Sequence, residues 1–139
     1  MKILFSILSI VYISAIFILA GSPIVRILAP FNLYSLLHIP LYGILTALLI
    51  LSFVPIKIKS TKPLNPTNST NPINSINSIT SFLVVGVIAL GVGIADEIHQ
   101  AYVPGREASV TDVLLDFVGI ALVLFFAFRL LKTKTSLIH

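Results

Sequence analysis

Apolar residues in this chain come in four long blocks: Ile3 to Ala20, Leu33 to Val54, Phe82 to Ala95 and Val113 to Leu131. A helix rising 1.5 Å per residue needs roughly 20 residues to cross about 30 Å of hydrocarbon. The first, second and fourth blocks reach that length alone or with one flanking turn. The third does so only when Ser81, Asp96 and their neighbours are included. That shortfall draws Asp96 and Glu97 to the edge of the hydrocarbon, where a charge normally faces protein or water.

Composition closes off the soluble alternative. Only 10% of residues are charged and 57% are hydrophobic, against about 25% charge in an ordinary soluble domain. The mean hydropathy is +1.07. The expected fold is therefore all-α, a single polytopic membrane domain over residues 1–139 with a four-transmembrane-helix bundle. The helices are expected at about 3–21, 33–55, 81–101 and 110–131. The first block also has features of a secretory signal, with Lys2 before it and Ala20-Gly21-Ser22 after it, but its apolar stretch is longer than a signal core.

Between Lys57 and Thr80, Asn65, Asn68, Asn71, Asn74 and Asn77 recur every third residue among Pro63, Pro66 and Pro72. That composition predicts a disordered loop over 57–80. Asn68-Ser69-Thr70 matches a glycosylation sequon, meaningful only in a glycosylating compartment. Of the 9 basic residues, Lys2, Lys57, Lys59, Lys62, Arg129, Lys132 and Lys134 fall on one side of the expected spans, and Arg26 and Arg106 on the other. The positive-inside rule then predicts both termini and the Asn-rich loop in the cytoplasm of a plasma-membrane protein. Because these charges flank apolar blocks and line no helix face, the net charge of +4 does not point to nucleic acid. The chain has no cysteine, so neither disulfides nor thiolate chemistry enter.

All 5 acids lie in one stretch, as Asp96, Glu97, Glu107, Asp112 and Asp116, with His99, Gln100 and Arg106 among them. Helical spacing puts Asp96 with Gln100 on one face, and Gly93 and Glu97 beside Gln100. Ala89 and Gly93 form a small-xxx-small pair that admits a close neighbour. Pro104-Gly105 is a strong breaker, after which Ser109 opens the last helix. Asp112 follows in capping-box register, which alone accounts for an acid there. Asp116, one turn deeper with Gly119 below it, is not explained by capping. His38 and Tyr42, one turn apart on the second block, are either a satisfied interhelical pair or part of the same pocket, and Pro40 between them should bend that helix. Arg106 is the natural counter-ion for Asp96 or Asp112; alternatively, its planar fork recognises a phosphate or carboxylate. Asp96, Glu97, His99 and Asp112 hold metal-ligand atoms, but no fixed spacing such as HExxH occurs and no metal is assigned. Cofactor fingerprints are likewise absent, with no P-loop, Rossmann or GxSxG pattern.

Asp96-Glu97-Ile98-His99-Gln100, Tyr102, Val103-Pro104-Gly105-Arg106, Ser109, Asp112 and Gly119, in that order, resemble the signature of VanZ-like membrane proteins. His38 and Tyr42 resemble the polar pair in an earlier helix of that family. One departure is Asp116, where the family often has asparagine. The resemblance implies a cell-envelope protein, the namesake being linked to reduced susceptibility to the lipoglycopeptide teicoplanin. The leading expectation is a non-enzymatic protein whose outward polar pocket binds a lipid or cell-wall precursor headgroup. The pocket would draw on His38, Tyr42, Asp96, Glu97, His99, Gln100, Arg106, Asp112 and Asp116, with Pro104, Gly105, Ser109 and Gly119 shaping it. The alternatives are an intramembrane acid–base enzyme on a lipid-linked substrate and a purely structural charge cluster.

Overall fold

The computed structural model describes residues 2–22, 33–54, 72–106 and 108–136. Among them the architecture is entirely helical: α1 (Lys2–Ala20), α2 (His38–Phe53), α3 (Pro72–Ala101) and α4 (Val110–Ser136), with a single helical turn at Leu33–Leu36 leading into α2. Three helices carry spans long and apolar enough to cross a membrane: Lys2–Ala20, Ile79–Ala101 and Val110–Leu131. The fourth, α2, is a shorter apolar helix of 16 residues.

The polarity of the bundle is reversed relative to a soluble protein. Ile3, Ile18, Val87, Val110 and Leu130 are each at least 68% exposed, whereas Asp96, Asp116, Glu97 and Gln100 are at most 5% exposed. In water that distribution would forfeit the hydrophobic gain and desolvate charge at the same time. In lipid it costs nothing outside and shields the polar groups inside. The chain is accordingly a membrane protein.

α2 lies at the centre and packs against α1, α3 and α4. Its Tyr42, Leu45, Leu49 and Ile50 meet Ile16 of α1, Phe82, Val85 and Ala89 of α3, and Ile120 of α4 in one apolar core. Isolated hydroxyls within the spans bond back to their own helix, from Ser9 to the Phe5 carbonyl (2.8 Å), Thr46 to Tyr42 (2.7 Å) and Ser52 to Leu48 (2.9 Å). No water is needed to satisfy them.

Pro40 lies in the first turn of α2 and has no N–H to donate to the Leu36 carbonyl. Leu37 keeps right-handed helical dihedrals, φ −66° and ψ −19°, and the bonding ladder runs on with Leu41 N–H donating to the Leu37 carbonyl at 3.1 Å. The start of α3 differs from expectation. Residues 57–71 lie outside the described residues, but 72–80 are helical and continue directly into the apolar block. Pro72 takes the first helical position, where a missing N–H is harmless, and Ile73, Ile76 and Ile79 recur at helical spacing with no further proline before Pro104. The Asn- and Ser-rich composition masked that continuity.

Two glycines on α2 and α4 set the closest crossing. A β-carbon on Gly119 would run into the backbone of Ile39, at 3.1 Å from its Cα and closer to its carbonyl, and one on Gly43 would lie 3.4 Å from Val123. Gly91 faces open space. Gly119→Ala should therefore destabilise the bundle by about 1–3 kcal/mol through overpacking against rigid backbone. Gly91→Ala should be neutral or stabilising by about 0.5 kcal/mol through helix propensity. Thermal unfolding of both variants in the same detergent checks the contrast, and equal midpoints would count against the crossing.

Candidate functional site

Four helix segments bring polar side chains together at one end of the bundle: the start of α2, the last turns of α3, the reversal after it and the start of α4. The reversal is tight. Tyr102 and Val103 N–H groups bond to the His99 and Gln100 carbonyls at 3.0 Å each, and Arg106 N–H to the Val103 carbonyl at 3.1 Å. Gly105 adopts φ +83°, the left-handed conformation that only glycine takes without strain. The chain thus returns antiparallel within a few residues, and α4 begins beside the acids of α3.

Ser109 opens α4, its carbonyl accepting from Asp112 N–H at 3.1 Å. The expected capping box is replaced by an interhelical one. Ser109 N–H donates to Oε2 of Glu97, across the reversal, at 2.8 Å. Glu97 takes the place that Asp112 would have filled, and Asp112 instead turns inward, where it is 6% exposed. Capping therefore does not account for Asp112.

His38 joins α2 to α4. Its Nδ1 lies 2.8 Å from Asp116 Oδ1, and its Nε2 lies 3.8 Å from Asp112 Oδ2. The 3.8 Å separation is too long for a hydrogen bond. The Tyr42 ring stacks on the imidazole, with centroids 6.2 Å apart and planes at 13°. The Tyr42 hydroxyl reaches Asp96 Oδ2 at 3.4 Å, and Gln100 Nε2 donates to the same oxygen at 3.0 Å. Arg106 donates to Gln100 Oε1, so the guanidinium joins the cluster through the Gln100 amide. This relay differs from the direct Arg106 ion pair with Asp96 or Asp112 expected of a simple counter-ion.

Gly93 makes room for this arrangement. A β-carbon there would sit 2.7 Å from Asp116 Oδ2 and 3.4 Å from the Tyr42 ring. The small-residue position on α3 thus receives an acidic side chain of α4 and a ring of α2, in addition to permitting close helix approach.

Of the nine side chains expected to form the pocket, eight converge: His38, Tyr42, Asp96, Glu97, Gln100, Arg106, Asp112 and Asp116. His99 does not. It is exposed and turned toward α1, edge to face with Phe17 at 5.6 Å between centroids. Helical spacing alone leaves His99 beside Asp96, three residues earlier, so its turn toward α1 comes from tertiary packing. His99 therefore leaves the candidate metal-ligand set, and His38 stands in its place beside Glu97 and Asp112. Pro104, Gly105, Ser109 and Gly119 all lie where the backbone turns or closes around the site, whereas Glu107 lies outside the described residues.

Among the described residues, four buried carboxylate oxygens have no hydrogen-bond partner: Asp96 Oδ1, Glu97 Oε1, Asp112 Oδ1 and Asp116 Oδ2. Each such acceptor costs about 1–3 kcal/mol if left unmet. A cleft of about 300 Å³ opens beside them between the ends of α3 and α4, lined by Ile94, Ile98, Tyr102, Val110 and Val113, with Glu97 and Ser109 as its polar part. Glu97 belongs to both the cleft and the buried cluster.

Comparison with known proteins found no match among curated proteins or among solved structures. A family model described as VanZ/LLP1 matches residues 5–132, which takes in all four helices and every residue of the cluster. The chain belongs to the VanZ/LLP1 family.

Proposed function

We propose that this VanZ-like protein is a non-enzymatic component of the cell envelope that binds the polar headgroup of a lipid or lipid-linked cell-wall precursor. The observation that carries this reading is the double position of Glu97, in the lining of an apolar cleft and in the buried carboxylate cluster. A chain lying along Ile94, Ile98, Val110 and Val113 would deliver its headgroup to acceptors lacking partners. Such acceptors select for hydroxyl or amine donors, the groups displayed by sugars and amino-sugar or amino-acid headgroups. Arg106, held by Gln100 at the rim, supplies a cation for an accompanying phosphate.

The distribution of basic residues supports a plasma-membrane orientation with both termini cytoplasmic and the site facing outward. A site at that face meets precursors and glycopeptides in the outer leaflet, which links the reading to teicoplanin susceptibility. A second reading, an acid–base enzyme on a lipid-linked substrate, draws on the His38–Asp116 pair, which has the form of a base held by an orienting carboxylate. Sustained turnover of a labelled lipid-linked substrate by the purified chain would favour that reading over simple binding.

The absence of cysteine makes the orientation directly testable. In intact cells, a membrane-impermeant maleimide should label Ala108→Cys, and should label Ser136→Cys only after permeabilisation. The reverse pattern would place the site on the cytoplasmic side and remove the outer-leaflet reading.

For the function itself, a teicoplanin-sensitive host should be protected by wild type, with both Arg106→Ala and Asp112→Ala abolishing protection at matched membrane levels. Arg106→Lys keeps the charge but loses the planar fork, and should retain less than about a tenth of headgroup binding if recognition is bidentate. Lipids co-purified with the wild type and depleted in these variants would identify the ligand. Correctly inserted protein with neither protection nor a variant-sensitive lipid would overturn the proposal.

A further inference from the structure

We infer that His38, Glu97 and Asp112 form a binding site for one divalent first-row transition ion of the Zn2+ or Mn2+ class, with Asp116 as the outer partner of the histidine. One ligand atom from each of the three residues lies within 4.8 Å of the other two. His38 Nε2 and Asp112 Oδ2, 3.8 Å apart, are too far apart to hydrogen-bond and slightly wider than two donors sharing an ion. Donors at about 2.1 Å from a common metal stand roughly 3.0–3.4 Å apart in octahedral or tetrahedral arrangement. Sharing an ion therefore needs a contraction of a few tenths of an ångström at that pair, and a side-chain adjustment of Glu97 from within the 4.8 Å limit to the same spacing.

Two independent features separate this from a chance gathering of acids. Glu97 and Asp112 are 5% and 6% exposed, and each keeps one carboxylate oxygen, Oε1 and Oδ1, with no hydrogen-bond partner. Burial of this kind is costly unless something meets those oxygens. The histidine is also already oriented. Asp116 Oδ1, 2.8 Å from Nδ1 on a residue that is itself fully buried, holds the ring with Nε2 on the side of Asp112. A carboxylate holding the far nitrogen of an imidazole is the usual outer support of a metal-bound histidine.

The donor set defines the ion. One imidazole with two carboxylates suits Zn2+ or Mn2+ better than Mg2+ or Ca2+, which take oxygen alone. Three protein donors leave coordination positions for water or for an oxygen of a bound molecule. The site shares Glu97 and Asp112 with the headgroup reading but does not rest on it, since it requires only the ion and these four side chains.

The test uses the full chain purified without a histidine tag, equilibrated with Zn2+ or Mn2+, passed through a desalting column and measured by elemental analysis. One ion per chain is expected, with Mg2+ failing to displace it. His38→Gln and Asp112→Asn should lose the ion at micromolar concentrations. Asp116→Asn should bind ten- to a hundredfold more weakly, as expected for an outer partner. His99→Gln, at an exposed residue turned toward Phe17 of α1, should bind as wild type does. Wild type without a stoichiometric ion overturns the site, as does undiminished binding by a folded His38→Gln chain. Should that variant fail to fold, pulsed electron paramagnetic resonance of Mn2+ on the wild type decides: coupling to a single imidazole nitrogen supports the site, and none overturns it.

Discussion

The seating of the Ile39 backbone on Gly119 controls the polar end of this bundle. Between bare helices in lipid no hydrophobic force draws α2 toward α4, so their approach depends on close packing and on hydrogen bonds. Gly119 supplies the first by removing the side chain that would hold the Ile39 carbonyl away. Once the backbones meet there, His38 lies within 2.8 Å of Asp116, which supplies the second. Pro40 contributes as well: it lacks the N–H that would tie the first turn of α2 to the Leu36 carbonyl, next to His38. A proline, a glycine and a histidine–aspartate pair, each ordinary alone, together produce one interhelical joint.

That joint explains how so many acids persist inside an apolar chain. Translocon-type scales charge about 2.5–3.5 kcal/mol for one ionised acid at a helix centre, and this bundle encloses four near one end. Part of that cost is met by named donors: His38 for Asp116, Gln100 and Tyr42 for Asp96, and the Ser109 amide for Glu97. Asp112, displaced from the capping role by Glu97, has no comparable donor on Oδ1. The arrangement is half satisfied, which for a purely structural cluster would be worse than an apolar core. A cluster retained for what it binds has no such difficulty, because the bound species meets the remaining oxygens.

Much of this was legible in the sequence, and the exceptions have physical causes. Hydropathy blocks are a reliable sign of helices here because lipid leaves no other way to satisfy the backbone. The i, i+4 spacing of Asp96 with Gln100, and of Asp112 with Asp116, places them correctly on shared faces. The same rule leaves His99 beside Asp96, three residues earlier, and only the packing of α1 through Phe17 takes it away from the cluster. The beginning of α3 was hidden because Asn and Ser lower helix propensity without forbidding helix, and a proline at the first position reads as a breaker. The exchange of capping roles between Glu97 and Asp112 had no local signal. It depends on how tightly the Pro104-Gly105 reversal folds α4 back onto α3, a tertiary fact.

Asp116 shows how one substitution can keep a geometry while altering its chemistry. An asparagine oxygen at this position could accept the His38 Nδ1–H as the carboxylate does, so the imidazole orientation does not require an acid. The acid adds negative charge behind the ring, making Nε2 a stronger electron donor on the side facing Asp112. Gly93 leaves just enough space for the second oxygen, 2.7 Å from where a β-carbon would stand. With Asp116 ionised, the polar cluster of this chain carries one more negative charge than an asparagine at the same place would give it. Electroneutrality in a low-dielectric interior then favours a cationic or strongly donating occupant, which is the common requirement of an amine-bearing headgroup and of a divalent ion.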